Sequence, residues 1–264
     1  MDISVVIPFF NGEQFFEECI QSVLRQTYAA KEIVIINDSP SPETVKFLSQ
    51  YENDAKIIHL DRNHGISVAR NIGIANCKSD WIAFLDNDDI WMDDKLEKQV
   101  TFLKNNPDQE ACHTGTESFS KDRVIETYLD KPLLLDMEGA LLISHVLPSS
   151  FMVKKIAIEA AGMFDPKASG SEDRELTIQL IKSDVKIGFL PEVLVRFRRE
   201  GHGFFSSMWK PKLKSHMYVF FKHMDQFRKY QIVRKHLTWI FGHAGYRSTG
   251  LISLFFRGLA RLFR

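Results

Sequence analysis

The chain opens on a short apolar, mostly β-branched run, Ile3-Ser4-Val5-Val6-Ile7, halted by Pro8, and this pattern predicts a buried strand. From Gly12 to Gln26 the residues Phe15, Phe16, Cys19, Ile20, Val23 and Leu24 recur at helical spacing, which predicts a helix. The alternation then repeats. Glu32 to Ile36, Lys56 to Leu60 and Trp81 to Leu85 predict further strands, with helices over Glu43 to Tyr51 and Ile66 to Asn76 between them. Asn37-Asp38-Ser39-Pro40-Ser41-Pro42 is a loop of turn and cap residues. Strands alternating with helices at this spacing imply an α/β fold, Rossmann-like, with a mostly parallel sheet flanked by helices. In such sheets ligands bind beyond the carboxyl ends of the strands.

Those ends are Pro8 to Asn11, Asn37 to Ser39, Asp61 to Gly65 and Asp86 to Asp89, and three of the four are rich in Asp and Asn. In a tight turn Asp86 and Asp88 can point their carboxylates to one side, and hard oxygen ligands so arranged suit Mg²⁺ or Mn²⁺ clamping a diphosphate. The plainer alternative makes Asp88 or Asp89 the N-cap of a helix beginning at Ile90-Trp91. No GxGxxG or GxxxxGK[ST] loop is present, which removes the main support for dinucleotide and P-loop chemistry.

Composition narrows the class. With 44% apolar and 26% charged residues the chain can bury a sizeable core, so wholesale disorder is excluded. Three distant cysteines without a CxxC pair argue against a disulfide scaffold and a cysteine zinc site, and point to a reducing compartment. No stretch of about eighteen residues is free of charge, so no spanning helix is expected. The start, Met1-Asp2 leading straight into a strand, does not read as a signal peptide, and a cytoplasmic protein is expected. The 34 basic and 34 acidic residues cancel, which argues against a nucleic-acid partner.

That balance hides an asymmetry. Residues 210–264 hold twelve Lys or Arg and one acid, Asp225, leaving 22 basic and 33 acidic residues in 1–209, so the two parts carry +11 and −11. Helices are predicted over Lys212 to Tyr230, 231–242 and 249–263. In the last, Leu251, Ile252, Leu254, Phe255, Leu259 and Leu262 share a face, with Arg257, Arg261 and Arg264 around it. Such a basic amphipathic helix suits an anionic membrane surface, peripheral on the inner face of the cell membrane. The alternative is that these helices pack on the acidic body.

Eight features in order carry a resemblance. They are Ser4-Val-Val-Ile-Pro-Phe-Phe-Asn11 with Glu13, Gln26-Thr27-Tyr28, Asn37-Asp38-Ser39, Asn63-His-Gly65, Ala69-Arg-Asn71 with Gly73, Phe84-Leu85-Asp86-Asn87-Asp88-Asp89, Gly162-Met-Phe-Asp165 with Ser171-Glu172-Asp173, and Arg196-Phe197-Arg198. Over residues 3–207 the chain resembles the family 2 glycosyltransferases of the GT-A fold. The resemblance implies an inverting enzyme that moves a sugar from a nucleotide diphosphate donor, commonly a UDP-sugar, to an acceptor hydroxyl. It implies that Pro8, Phe10, Asn11 and Glu13 hold the nucleotide and that Asp38 hydrogen-bonds the base. This chain has Asn-Asp-Ser-Pro where family members often have Asp-Asp-Gly-Ser. Arg70 falls beside the diphosphate or donor sugar. Asp86 and Asp88, with Asn87 between them, match the DxD motif, Asp88 as metal ligand and Asp86 also toward the ribose. A catalytic domain over 1–209 is implied, its nucleotide-sugar half about 1–104 and its acceptor half about 105–209, followed by the basic tail 210–264.

Departure of a nucleoside diphosphate builds negative charge that a divalent ion stabilises, and the poorly nucleophilic acceptor hydroxyl needs a base. Asp173 is the candidate base, with Glu172 as its neighbour; the alternative is that Ser171-Glu172-Asp173 merely starts a helix. Arg198 and His202 are candidates for the diphosphate, against an ion pair for Arg198 and an ordinary loop role for His202. His59, His113 and His145 are taken as structural or surface residues. Trp91 and Asp93 could shape an acceptor entrance or simply start a helix. The acceptor is expected to be a cell-surface glycan, lipopolysaccharide or lipid-linked oligosaccharide, which would account for the tail. A GT-A module without activity, serving as a peripheral membrane or interaction domain, is the alternative. A nucleotidyltransferase would need a Gly-rich basic loop that Pro8-Phe-Phe-Asn-Gly12 does not supply.

Overall fold

Strand β1 (Ile3–Phe9) is buried along its whole length, as a strand covered on both faces must be. A computed structural model describes residues 1–121, 123–199, 209–248 and 250–263. After β1 the chain runs α1 (Glu13–Leu24), β2 (Glu32–Asn37), α2 (Pro42–Leu48), β3 (Lys56–His59), α3 (Ile66–Asn76), β4 (Trp81–Phe84), β5 (Ile90–Trp91) and α4 (Lys95–Asn105). It continues through β6 (Ala111–Ser120), β7 (Arg123–Tyr128), α5 (Met137–Leu142), β8 (Met152–Lys154), α6 (Lys155–Ala160), α7 (Glu172–Lys182) and β9 (Ile187–Arg198). Four helices close it: α8 (Trp209–Lys222), α9 (Met224–Lys229), α10 (Val233–Arg247) and α11 (Gly250–Leu262).

The sheet order is β3-β2-β1-β4-β8-β6-β9-β5, with β7 as a hairpin on β6. Strands β3, β2, β1 and β4 are parallel, and the sheet turns mixed beyond β4, where β8 runs antiparallel to both neighbours. Pro8 does not end β1. Val6 O accepts from Leu85 N–H on the β4 side and Phe9 O from Asp38 N–H on the β2 side. Pro8 faces the same side as Val6, beyond the last β1–β4 pair, so the ladder asks for no N–H there. Helix α2 starts as its sequence predicts: Pro42 sits in its first turn and Ser41 Oγ accepts from Thr44 N–H at 3.1 Å.

Two apolar cores sandwich the sheet, one under α1 and α4 and one under α3, α6 and α7. Helix α3 lies so close on β1 that a Cβ at Gly73 would stand 2.4 Å from Val6 Cγ1. A third core joins Leu141 of α5 and Ile178 of α7 to Val219, Phe220, Phe227, Ile232 and Ile240 from the C-terminal segment. Helices α8 to α10 therefore pack on the body, the alternative left open for the basic tail. The first tail helix breaks near His223, and α10 runs on through Gly242 and Gly245 where a break was expected. Helix α11 is different. It buries only Ser253 and Ala260 and leaves Leu251, Leu254, Phe255 and Leu262 exposed, Leu251 at 84%. No described helix is long and apolar enough to cross a membrane. Cys19, Cys77 and Cys112 are free and buried.

Candidate active site

The turn after β4 is held from behind by the rest of the chain. Ser149 Oγ accepts from Asp86 N–H at 3.1 Å and donates to Asp89 Oδ2 at 2.5 Å. Asp89 Oδ1 accepts from Arg198 N–H at 3.1 Å. Asp89 is thus a buried anchor, and burial, reinforced by Asp88 and Asp86, pushes its carboxyl well above the usual range. Beyond it, Ile90–Trp91 forms strand β5 against Arg196 and Val195 of β9. No helix starts here: α4 begins at Lys95, so the capping alternative for Asp88 and Asp89 falls. Trp91 lies in the core and its Nε1–H donates to Ser149 O at 2.7 Å, which removes it from any acceptor entrance. Asp93 lies at the surface, paired with Arg25 at 3.5 Å.

With the turn fixed, the residues at the parallel strand ends open on one cavity of about 460 Å³. Pro8, Phe10 and Asn11 come from the end of β1, Asp38 from β2, and Asp86, Asn87 and Asp88 from β4. Asn63, Gly65 and Ile66 close the remaining side. Asn11 (φ 57°) and Gly12 (φ 88°) are both left-handed, and this turn brings Asn11 O to Asn87 Nδ2, which donates to it. Asp38 is buried, its two oxygens accepting from His64 N–H at 2.7 Å and Gly65 N–H at 2.8 Å. Glu13 stands outside the lining, its Oε1 accepting from Thr44 Oγ1 at 3.3 Å.

The two arginines expected beside the diphosphate stand behind this wall. Arg70, 1% exposed, donates from Nη2 to Asp86 Oδ1 at 2.6 Å and from Nη1 to Glu172 Oε1 at 3.3 Å, its guanidinium 5.1 Å over Phe164. Arg198 packs between Phe15 and Phe119, donates from Nε to Asp88 O at 3.1 Å and pairs with Glu18. Its ion-pair alternative is therefore realised, and the backbone of the turn is what it holds. His202 lies outside the described residues.

Ser171 precedes α7 without a side-chain cap bond, and Glu172 and Asp173 form the first turn of that helix. Helix start and candidate base thus coincide. Glu172 accepts from Gly170 N–H at 2.7 Å besides its pair with Arg70. Burial raises its carboxyl pKa, Arg70 opposing and Asp173 adding to the rise. Asp173 accepts from Ser144 Oγ at 2.6 Å and lines a separate cavity of about 190 Å³ with Tyr128, Lys131, His145 and Phe197. His145 thus lines this cavity. Sequence reasoning also missed Ser149, whose setting in Pro148-Ser149-Ser150 reads only as a turn, and Arg174, which looks like an exposed helix charge but is buried.

Residues 4–159 match the family model for glycosyl transferase family 2. The chain belongs to that family. It is a glycosyltransferase. Among curated relatives, a Bacillus subtilis glycosyltransferase named for teichuronic acid biosynthesis, TuaG, is 28% identical over 81% of this chain and 85% of its own. An uncharacterized glycosyltransferase of Haemophilus influenzae is 30% identical over 78% and 79%. Solved structures of like fold include S. aureus TarS 1-349 in complex with UDP-GlcNAc, at TM-score 0.67 and 15% identity, covering all of this chain and 88% of that one. The mannosyltransferase PcManGT of Pyrobaculum calidifontis, in complex with GDP-Man and Mn²⁺, matches at TM-score 0.67 and 14% identity over 98% and 79%. At these identities the likeness is one of fold, and it identifies the sheet and its helices as GT-A-type.

Proposed function

We propose that the protein is an inverting, metal-dependent glycosyltransferase that takes its sugar from a nucleotide diphosphate donor, most naturally a UDP-sugar, and passes it to an acceptor hydroxyl. The observation that carries this is the single cavity at the parallel strand ends, where Asn11, Asp38, Asp86 and Asp88 meet. The two structural neighbours in complex with nucleotide-sugars support a nucleotide-sugar donor.

The donor set fits a divalent cation. Asp86 and Asp88 offer hard oxygens, and among the described residues no group of three His, Cys, Asp or Glu could cage a metal alone. Mg²⁺ and Mn²⁺ commonly bind through one or two carboxylates plus substrate phosphates, so a site completed by the diphosphate suits this wall. When held by Asp88, with Asp86, such an ion supplies neutralising charge to the departing diphosphate. Asn11 and Asp38 position the nucleoside, and the braces from Ser149, Arg70 and Arg198 keep the turn from moving as charge develops. Asp173 takes the acceptor proton, with Ser144 orienting its carboxylate.

Residues 1–209 serve as the catalytic unit, with the donor in its first half and the acceptor against its second. The exposed apolar face of α11, flanked by Arg257 and Arg261, lays the protein on an anionic membrane surface where a lipid-linked or surface-glycan acceptor is presented. Calorimetric titration of UDP, GDP and dTDP, with and without Mn²⁺, tests the donor class. UDP is expected to bind, and Asp88→Ala to abolish the Mn²⁺-dependent part. If none of the three binds in the presence of metal, the catalytic reading fails.

A further inference from the structure

Asp173 borders a second space besides its cavity beside Tyr128: a pocket of about 360 Å³ between the start of α7 and helices α8 and α10. Arg174, Lys212, His216, Trp239 and His243 line it, and among the described residues it shares none with the donor cavity. Its charge is unbalanced. Among the described residues Asp173 is its one acidic lining residue, against the basic side chains Arg174 and Lys212. Among the described residues Lys212 makes no ion pair.

Arg174 is the sharper anomaly. It is 2% exposed, and Nε and Nη2 are spent on Ala140 O (3.3 Å), Leu141 O (2.6 Å) and His236 Nε2 (3.1 Å). Among the described residues its Nη1 has no hydrogen-bond partner, the guanidinium lying 5.9 Å over the Trp239 ring and 6.0 Å over that of Phe227. A buried cation without a counter-ion costs free energy, and an anion in the adjoining pocket would offset that charge. The basic side chains add to burial in disfavouring protonation of the histidines. Burial, then Arg174 and Lys212, depress His216 to about 3, and burial with Arg247 and Lys212 lowers His243. Trp239 adds a flat apolar wall, edge-on to His216 at 4.9 Å and stacked on His243 at 5.6 Å.

We propose that this pocket binds the oxyanion, phosphate or carboxylate, of an anionic acceptor and so sets the acceptor hydroxyl against Asp173. The assignment rests on Asp173 as the base of the transfer. It makes Lys212 and Arg174 specificity-determining residues contributed at the junction of the catalytic body and its C-terminal helices. The acceptor then spans the two cavities that Asp173 borders, its anionic group beside Lys212 and the remainder beside Tyr128, Lys131 and Phe197.

The test is an NMR titration of the full chain at pH 7 with inorganic phosphate and, separately, with glucuronate, following the histidine ring signals, while UDP binding in Mn²⁺ is measured calorimetrically on the same samples. Saturable shifts of His216 and His243 are expected with at least one anion, and the responding anion identifies the acceptor's charged group. Lys212→Met is expected to weaken the effect at least tenfold and Lys212→Arg to restore it. Lys212→Gln, which keeps a polar chain but no charge, provides a second variant with the same expected weakening if Lys212→Met does not fold. Absent shifts with both anions, or shifts undiminished in the variants, overturn the pocket while retained UDP binding leaves the transferase standing. Failure of UDP to bind overturns the transferase, and the acceptor assignment with it, even where the anion binds.

Discussion

Arg70 joins Asp86 of the turn after β4 to Glu172 at the start of α7, and it is nearly free of solvent while doing so. Removing one partner from a buried ion pair leaves uncompensated charge, so Arg70→Met should destabilise the fold by about 3–5 kcal/mol in chemical denaturation. Arg70→Lys should recover little, because one ammonium cannot reproduce the two-pronged fork. Lys95 allows a test by pH. It is fully buried, its Nζ 3.8 Å over the Trp91 ring and donating to Gln99 Oε1 at 2.7 Å, and burial lowers its pKa to about 7. Between that value and the ordinary lysine value of about 10.4 the unfolded chain holds the extra proton. Stability should therefore rise with pH across this window, at up to about 1.4 kcal/mol per unit, and Lys95→Met should flatten the rise. Urea midpoints from pH 7 to 10 would show it. Asp86, Asp88, Asn11 and Asp38 were legible in the sequence because they follow apolar runs that can only be strands. Lys95 and Arg174 were not, since a charge on a helix normally marks its wet face and only tertiary packing reverses that.

At the scale of elements, the βα alternation of the first hundred residues could be read almost to the residue, because strands buried on both faces leave unbroken apolar runs. Strand β5 could not. Two residues carry no periodicity, and Ile90–Trp91 becomes a strand only because the C-terminal end of β9 lies beside it at Val195 and Arg196. The same limit hid the tail, where His223 interrupts one predicted helix and Gly242 fails to interrupt another. The contact of α3 with β1 was hidden too, although its glycine was plain. Gly73→Ala pushes a methyl group into Val6, and overpacking of this kind should cost about 1–3 kcal/mol in urea denaturation. The donor cavity stands on these two elements, so UDP affinity should fall together with stability.

For the molecule as a whole, charge and shape divide the C-terminal segment into two parts. Helices α8 to α10 are core, whereas α11 rests on α10, tied by Ser253 Oγ donating to Gly245 O at 2.6 Å. Replacing Leu254 and Phe255 by Ser should leave the thermal midpoint within a few degrees and strongly reduce sedimentation with phosphatidylglycerol vesicles, measured against neutral vesicles at the same salt. Undiminished sedimentation would remove α11 from the membrane contact. The +11 charge of the segment suggested that it would stand apart, yet net charge describes a surface and says nothing of the apolar face beneath it. That face has a consequence for how the protein is made. Leu141 and Ile178 find their cover in Val219, Phe227 and Ile240, so a chain emerging from the ribosome carries a bare apolar patch until almost its last helix is out. The enzyme is thus most exposed to misassembly late in synthesis, when its catalytic sheet is already complete.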